Sequence, residues 1–248
     1  MENKIENHSS KNGCLYSYII LMLCLISIGL YIGYIWWPKK YPDASVNYKI
    51  IVSVEMDGKL FKGSSVQGLA LESGPYLAPG GARVGIKVKG DAVVVDVPGV
   101  GAIYALLTKP GNNGRFGLGS EGIYRHLLPE SCGLKFGTKT TAEYVLSYEA
   151  LSGSCFVSDE HLPLFVRFVD ASNPASVYRV YPEDLGGIAT EEVKLNSVEL
   201  QITNDPITRN IEEKLEWITS IGNRKLSDYP GGKDNEIAEA LYIHGFRR

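Results

Sequence analysis

Apolar residues run without interruption over residues 15–37, and this stretch predicts a helix rather than a strand. The stretch contains no Asp, Glu, Lys, Arg or His. A helix of that length extends about 35 Å, which exceeds the hydrocarbon core of a bilayer at about 30 Å. Trp36 and Trp37 lie at its end, and tryptophan favours the membrane interface. We therefore expect a single, uncleaved transmembrane helix over 15–37.

Apolar and polar residues alternate from residue 46 onward, which is typical of half-buried strands. The clearest predicted strand covers 46–56 and is followed by Asp57-Gly58, a signal for a type I′ hairpin turn. Shorter strands are predicted over 66–71, 84–88, 92–97, 102–108, 162–169, 176–181 and 193–203. Helices are predicted over 141–151, 207–218 and 236–244, and loops over 73–85 and 109–122. Short strands joined by tight turns predict an α+β fold with a mostly antiparallel sheet and a few helices, including C-terminal ones.

Composition narrows the class of protein without identifying a function. The chain has 248 residues, of which 44% are hydrophobic and 21% charged, and these proportions exclude disorder of the whole chain. The net charge of −3 gives no basic surface for general nucleic-acid binding, so we expect no nucleic-acid partner. The predicted organisation is a tail over 1–14, the transmembrane helix over 15–37, a linker over 38–45 and a soluble α+β domain over 46–248.

The predicted membrane helix raises the questions of orientation and association. Two lysines precede it and three follow it closely, so lysine counts give no usable orientation. We expect the large domain outside the cytoplasm, mainly because it has two cysteines of its own. Gly29 and Gly33 lie four residues apart on one helix face, a spacing that lets two helices approach closely. A homodimer through this face is therefore possible, although glycine is common in membrane helices generally.

Cys132 and Cys155 are the only cysteines of the large domain, and two arrangements remain open for them. In an oxidising compartment they would form a disulfide that closes a loop over 133–154. Otherwise they would be buried, reduced thiols. His126 and His161 flank them and could complete a zinc site, but the spacings differ from those of usual zinc motifs. We assign no metal site.

Other motifs give weak indications of chemistry. The sequence over 117–122 fits G-x-G-x-x-G, but no strand–helix unit surrounds it, so we expect a loop without a nucleotide. Cys155 and His161 could be read as a nucleophile and base, yet such pairs are assembled by the fold rather than by sequence proximity. The adjacent acids at 159–160 and 212–213 are typical of solvated surface charge. We therefore assign no catalytic residue and no cofactor.

Four segments carry a resemblance to a known group of proteins. These are LPLFVRFVDASNPASVYRVYPEDL over 162–185, VELQITNDPITRNIEEKLEWI over 198–218, YKIIVSVEMDGKLFKGSSV over 48–66 and DAVVVDVPGVGAIYALL over 91–107. Together they resemble a family of uncharacterised bacterial proteins that have an N-terminal membrane segment and one domain of unknown function. The resemblance implies a bacterial envelope setting and no specific activity.

These observations lead to two functional hypotheses. The first is a binding or structural module of the bacterial cell envelope, anchored in the inner membrane as a single-pass protein with its large domain outside the cytoplasm. Its partners would be membrane lipid along 15–37 and a protein or glycan of the envelope. The alternative is a membrane-anchored enzyme, such as a hydrolase, whose site is assembled by the fold. Titratable residues clustered in a deep pocket would favour the enzyme, and a shallow apolar face would favour the binding module.

Overall fold

The computed structural model describes residues 10–36, 43–75, 82–108, 127–128, 131–133, 141–220, 222 and 224–247. The chain divides into two units. One comprises 1–41 and 75–81, and the other comprises 42–74 and 82–248. The predicted glycine-rich loop over 109–122, with the motif at 117–122, lies outside the described residues, as does His126.

The first unit contains α1 (Ser10–Trp36), and this helix corrects the membrane prediction. Among the described residues, no helix is both long enough and apolar enough to cross a bilayer. The predictions of a transmembrane helix over 15–37, of a single-pass membrane protein and of an inner-membrane location are therefore wrong.

The second unit is built mostly from antiparallel strands. In chain order they are β1 (Asp43–Met56), β2 (Lys59–Pro75), β3 (Ala82–Lys89), β4 (Val93–Val97), β5 (Gly101–Ala105), β6 (Ser154–Phe156), β7 (Phe165–Phe168), β8 (Val177–Val180) and β9 (Val193–Thr203). A five-stranded sheet has the order β3-β2-β1-β9-β6, and a four-stranded sheet has the order β4-β5-β7-β8. The predicted hairpin after β1 is confirmed, because Asp57 and Gly58 both have positive φ, at 51° and 71°.

The two sheets share one core. Alternate residues of β1 point into this core, among them Val46 and Tyr48. From the four-stranded sheet, Val93, Val95 and Phe165 point into it as well. The sheets approach closely where β2 crosses β4. A Cβ atom at Gly63 would lie 2.0 Å from the carbonyl oxygen of Val94, so only glycine fits there. The alternation of apolar and polar residues in β1 therefore corresponds to one buried and one less buried face.

A second core covers the other face of the four-stranded sheet. It joins residues of β5, β7 and β8 to the C-terminal part of the chain, including Trp217 and Phe246. Tyr104, Phe168, Trp217 and Phe246 pack with ring centroids 5.4–6.4 Å apart, mostly edge to face. Such contacts add to the free energy gained from burial. The four-stranded sheet is therefore buried on both faces.

Helices contribute little to this unit, and one predicted helix is wrong. The predicted helix over 141–151 is confirmed as α2 (Thr141–Glu149), and the last one shortens to α3 (Glu236–Ala240). Residues 207–218 form two short 3-10 helices, Ile211–Glu213 and Glu216–Thr219. Here tertiary hydrogen bonds replace helical ones. The amide of Thr208 donates to the carbonyl of Val66 at 2.9 Å, and the amide of Ile211 donates to the Asp91 carboxylate at 3.0 Å. The predicted class thus fails in its membrane helix and in this C-terminal helix.

Candidate functional site

The structure joins Cys132 and Cys155 in a disulfide, with their Cα atoms 5.3 Å apart. Cys155 is the middle residue of β6, the last strand of the five-stranded sheet. Its backbone pairs with Leu200 of β9, and Cys132 lies in a turn just after 127–131. The disulfide therefore ties an edge strand to a separate part of the chain.

This bond also removes two of the chemical alternatives. A sulfur atom in a disulfide can neither bind zinc as a thiolate nor attack a substrate as a nucleophile. His161 is buried, and its Nδ1 lies 3.1 Å from the Ser158 hydroxyl. Within the described part of the chain, no three residues among His, Cys, Asp and Glu are grouped as metal ligands.

The backbone of β6 is paired with β9 on one side, and no described residue pairs with it on the other. The amide of Val157 donates to the carbonyl of Val198 at 2.9 Å, and the amide of Ile202 donates to the carbonyl of Gly153 at 3.0 Å. In an antiparallel pair, alternate residues bond to the neighbouring strand, and the residues between them point their N–H and C=O groups away. Ser154 and Phe156 are those residues. Their four outward groups make no hydrogen bond to any described residue.

An aromatic side chain lies beside these open groups. Phe156 is 68% exposed, which is high for a phenylalanine on a sheet. It lies opposite Glu199 in the register, and Glu199 in turn lies opposite Ile51 of β1. Directly opposed residues share one face of a sheet, so Phe156, Glu199 and Ile51 form a row across the outer face. The β6 edge, defined as residues 154–156 with this row, therefore offers both backbone hydrogen bonds and apolar surface.

The charge around the β6 edge is mostly negative, although Lys49 of β1 lies in the outer-face row of Ser154 and Gln201. Residues 141–166 contain four carboxylates and no Lys or Arg. All four belong to exposed residues, Glu143, Glu149, Asp159 and Glu160. Glu199 adds a further negative charge from the adjacent strand. The field of this region favours a positively charged partner.

The most deeply buried carboxylate of the described residues lies elsewhere and is fully engaged. Asp91 is 0% exposed and accepts hydrogen bonds from the Ile211 amide at 3.0 Å and from Nε and Nη2 of Arg247 at 2.8 and 2.9 Å. Arg247 also pairs with Glu212. Hydrogen bonding to Asp91 raises the pKa of Arg247, so this guanidinium keeps its positive charge. We interpret this cluster as an anchor for the C-terminal segment, because both carboxylates already bind a cation.

The remaining candidates from the sequence are not brought together. Glu212 joins the Asp91 cluster, whereas Glu213 is exposed, and Asp159 and Glu160 are exposed beside β6. Gly29 and Gly33 both lie in α1, and a Cβ atom at Gly29 would have no neighbour within 4 Å. The homodimer through these glycines stays a prediction.

Sequence analysis did not find β6 itself. The strand has only three residues, and its signal is short: Cys155 and Val157 point inward, while Ser154, Phe156 and Ser158 alternate with them. A run of this length is too short for reliable recognition by periodicity. The burial of one face of β6 and the exposure of Phe156 on the other depend on the pairing of β6 with β9.

Comparison of this chain with protein-family models, with curated proteins and with solved structures finds no match. The resemblance to a bacterial family stays a prediction. Function must therefore be argued from the geometry of the β6 edge.

Proposed function

We propose that this chain is a binding module that takes an extended segment of a partner protein as an added strand along β6. The observation that carries the proposal is that Ser154 and Phe156 point two N–H and two C=O groups away from the sheet, where no described residue bonds to them. An exposed strand edge is a template for another strand. Recognition of this kind takes affinity from main-chain hydrogen bonds and specificity from alternate side chains.

The side chains beside the edge indicate the chemistry of the partner. Phe156 offers apolar surface to one residue of an added strand. Glu199, Asp159 and Glu160 favour Lys or Arg at other positions. The partner is therefore an extended segment that alternates apolar and basic residues. This form of the binding hypothesis needs no cofactor and no reaction.

The disulfide supports this role because it holds β6 in place before a partner arrives. A short strand with one neighbouring strand has few hydrogen bonds to keep it extended. Cys155 adds a covalent link at its middle residue. A binding surface that is already ordered loses less conformational entropy on association. We therefore expect reduction of the disulfide to weaken binding even where the rest of the sheet stays folded.

A peptide-display selection tests the proposal. Random linear nine-residue peptides are selected on the immobilised protein, and the enriched peptides are then measured against two variants. Phe156→Lys places a positive charge on the β6 edge. Val169→Lys is the matched control, because Val169 is 69% exposed and follows β7 in the other sheet. Both are surface substitutions, for which we expect changes in the unfolding free energy of less than about 0.5 kcal/mol.

We expect enriched peptides to alternate apolar residues with Lys or Arg. Their affinity should fall at least about tenfold for Phe156→Lys, which corresponds to about 1.4 kcal/mol, and stay unchanged for Val169→Lys. The proposal fails if no peptide is enriched. It fails equally if Phe156→Lys and Val169→Lys bind the enriched peptides with the same affinity.

A further inference from the structure

Arg167 is a buried cation that has no carboxylate partner among the described residues. It lies in β7 and is only 6% exposed. Its Nη1 donates to the carbonyl oxygen of Gly186, and its Nη2 donates to the carbonyl oxygen of Val100. The ion pairs of the described residues do not include it. Its Nε is buried and has no hydrogen-bond partner.

Tyr178 places a second unsatisfied group beside this arginine. Tyr178 of β8 lies directly opposite Arg167 in the register, so the two side chains share one face of the sheet. The guanidinium carbon of Arg167 lies 5.8 Å from the centroid of the Tyr178 ring. The Tyr178 hydroxyl is buried, and its hydrogen has no acceptor among the described residues, although the backbone amide of Ile188 lies near its oxygen. Burial raises the pKa of Tyr178, so its hydroxyl keeps a proton to donate.

Arg167 and the partly buried Arg247 differ in their partners. Arg247 binds Asp91 and Glu212, so its charge is neutralised inside the protein. Arg167 binds two carbonyl oxygens, which satisfy two donors but carry no net charge. A buried charge without a counter-ion is unfavourable, and an unused buried donor adds to the penalty. An anion that accepts from Nε and from the Tyr178 hydroxyl would remove both penalties.

Two exposed turns lie directly over this pair. A Cβ atom at Gly101 would lie 3.8 Å from Nη2 of Arg167, and one at Gly187 would lie 3.5 Å from the Tyr178 hydroxyl oxygen. Gly101 and Gly187 are both exposed. The backbone of two glycine turns therefore lies close to the buried donors on these sides, so only a ligand of a few atoms could bind beside them.

We propose that Arg167 and Tyr178 form a binding site for a small monocarboxylate. One uncompensated positive charge matches one negative charge, and a dianion such as sulfate would leave a buried negative charge in its turn. The two carboxylate oxygens match the two unused donors, one on Nε and one on the Tyr178 hydroxyl. This site belongs to the four-stranded sheet and does not depend on binding at the β6 edge.

Nuclear magnetic resonance of the Arg167 Nε–H group tests the site directly. The full chain, labelled with ¹⁵N, is titrated with sodium formate and, separately, with sodium chloride at the same ionic strength. The resonance is assigned by its loss in Arg167→Lys. We expect formate to shift it in a saturable way and chloride to leave it in place. A thermal melt in the same two salts gives a second measurement, in which formate should raise the midpoint above its value in chloride.

Two variants make the test specific. Tyr178→Phe removes only the hydroxyl group and should weaken formate binding about tenfold, since one hydrogen bond to a charged group is lost. Arg179→Gln is the control, because Arg179 lies on the opposite face of β8, with its guanidinium carbon 4.5 Å from the Tyr181 ring. It should leave binding unchanged. The proposal is overturned if formate gives no saturable shift, if chloride gives the same shift, or if Tyr178→Phe binds formate like the unaltered protein.

Discussion

The strands β8 and β6 lie at the edges of different sheets, and a side chain from elsewhere in the chain binds an outward carbonyl only on β8. Val169 donates to Ser176 at 3.2 Å, so Val177 is a residue whose backbone groups point away from β7. The Asn235 amide nitrogen donates to the Val177 carbonyl at 2.7 Å and to the Ala175 carbonyl at 2.9 Å. The equivalent groups of Ser154 and Phe156 on β6 have no such partner among the described residues. The bond from Asn235 adds stability at β8, whereas the outward groups of β6 are free of the described residues and available for binding.

The faces of the two sheets differ in how far they are buried. The four-stranded sheet is buried on both faces, by the shared core on one and by the Trp217 and Phe246 core on the other. The five-stranded sheet is buried on the β1 face that carries Val46 and Tyr48, while its outer face carries the exposed Phe156. We therefore expect substitutions in the four-stranded sheet to change stability and substitutions at the β6 edge to change binding.

The largest expected effect tests the double burial of the four-stranded sheet. Phe246 is 0% exposed and packs against Tyr104 and Trp217. Replacing it with alanine should lower the unfolding free energy by about 3–5 kcal/mol, because buried surface is lost and a cavity remains. Denaturant unfolding followed by circular dichroism measures this. A loss below about 1 kcal/mol would show that the second core does not stabilise the sheet.

The second largest effect is expected from removal of the disulfide that holds β6. A bond that closes a loop of this length, with Cys132 and Cys155 separated by 23 positions, stabilises by about 3 kcal/mol through the chain entropy of the unfolded state. Cys155→Ser should lower the unfolding free energy by up to that amount, and the double variant with Cys132→Ser should be no worse. Labelling of free thiols in the unfolded, non-reduced protein provides the control. Reactive thiols at both cysteines would contradict the disulfide.

Removal of the group that closes β8 should have an intermediate effect. Asn235 bonds to two carbonyl groups, and its Oδ1 also caps α3 through the amides of Ile237 and Ala238. Asn235→Ala should therefore lower the unfolding free energy by about 1–3 kcal/mol. Asn196→Ala is a suitable control, since Asn196 is exposed and bonds only to the neighbouring Ser197. Equal stability of the two variants would contradict closure of β8 by Asn235.

A smaller effect concerns pH and the Tyr104 hydroxyl. Burial, assisted by the charge of Asp96, raises the pKa of Tyr104. The unfolded chain releases this proton near pH 10, whereas the folded protein retains it, so stability is full below about pH 10 and falls as pH rises further. The loss should reach about 1 kcal/mol at pH 11 relative to Tyr104→Phe. Unfolding of both proteins at pH 8 and pH 11 measures it, and identical pH dependence would contradict the burial of this hydroxyl.

Strands with long alternation could be predicted from sequence, and so could their hairpins. The alternation of β1 follows from the burial of one of its faces. The turn at Asp57 and Gly58 follows from the positive φ angles that these two residues tolerate. The helix over 207–218 failed because Asp91, far away in sequence, takes the Ile211 amide. Apolar length misled the membrane prediction, since no described helix meets the requirements for crossing a bilayer.

The candidate site was less predictable than the fold. Cys132 and Cys155 were identifiable as a possible pair, but their distance depends on where β6 lies in the sheet. The outward backbone groups of Ser154 and Phe156 depend on strand order, because no described strand follows β6 in the sheet. The pairing of Arg167 with Tyr178 likewise depends on the register of β7 and β8. No local pattern of residues contains this information.

Amide hydrogen exchange along 153–157, measured by nuclear magnetic resonance with and without an enriched basic peptide, tests the central claim most directly. In the free protein, the amide of Val157 is bonded to β9 and should exchange slowly, while those of Ser154 and Phe156 point outward and should exchange fast. We predict that the peptide slows exchange at Ser154 and Phe156 and leaves Val157 slow. Peptide binding that leaves Ser154 and Phe156 as fast as before would contradict strand addition at β6.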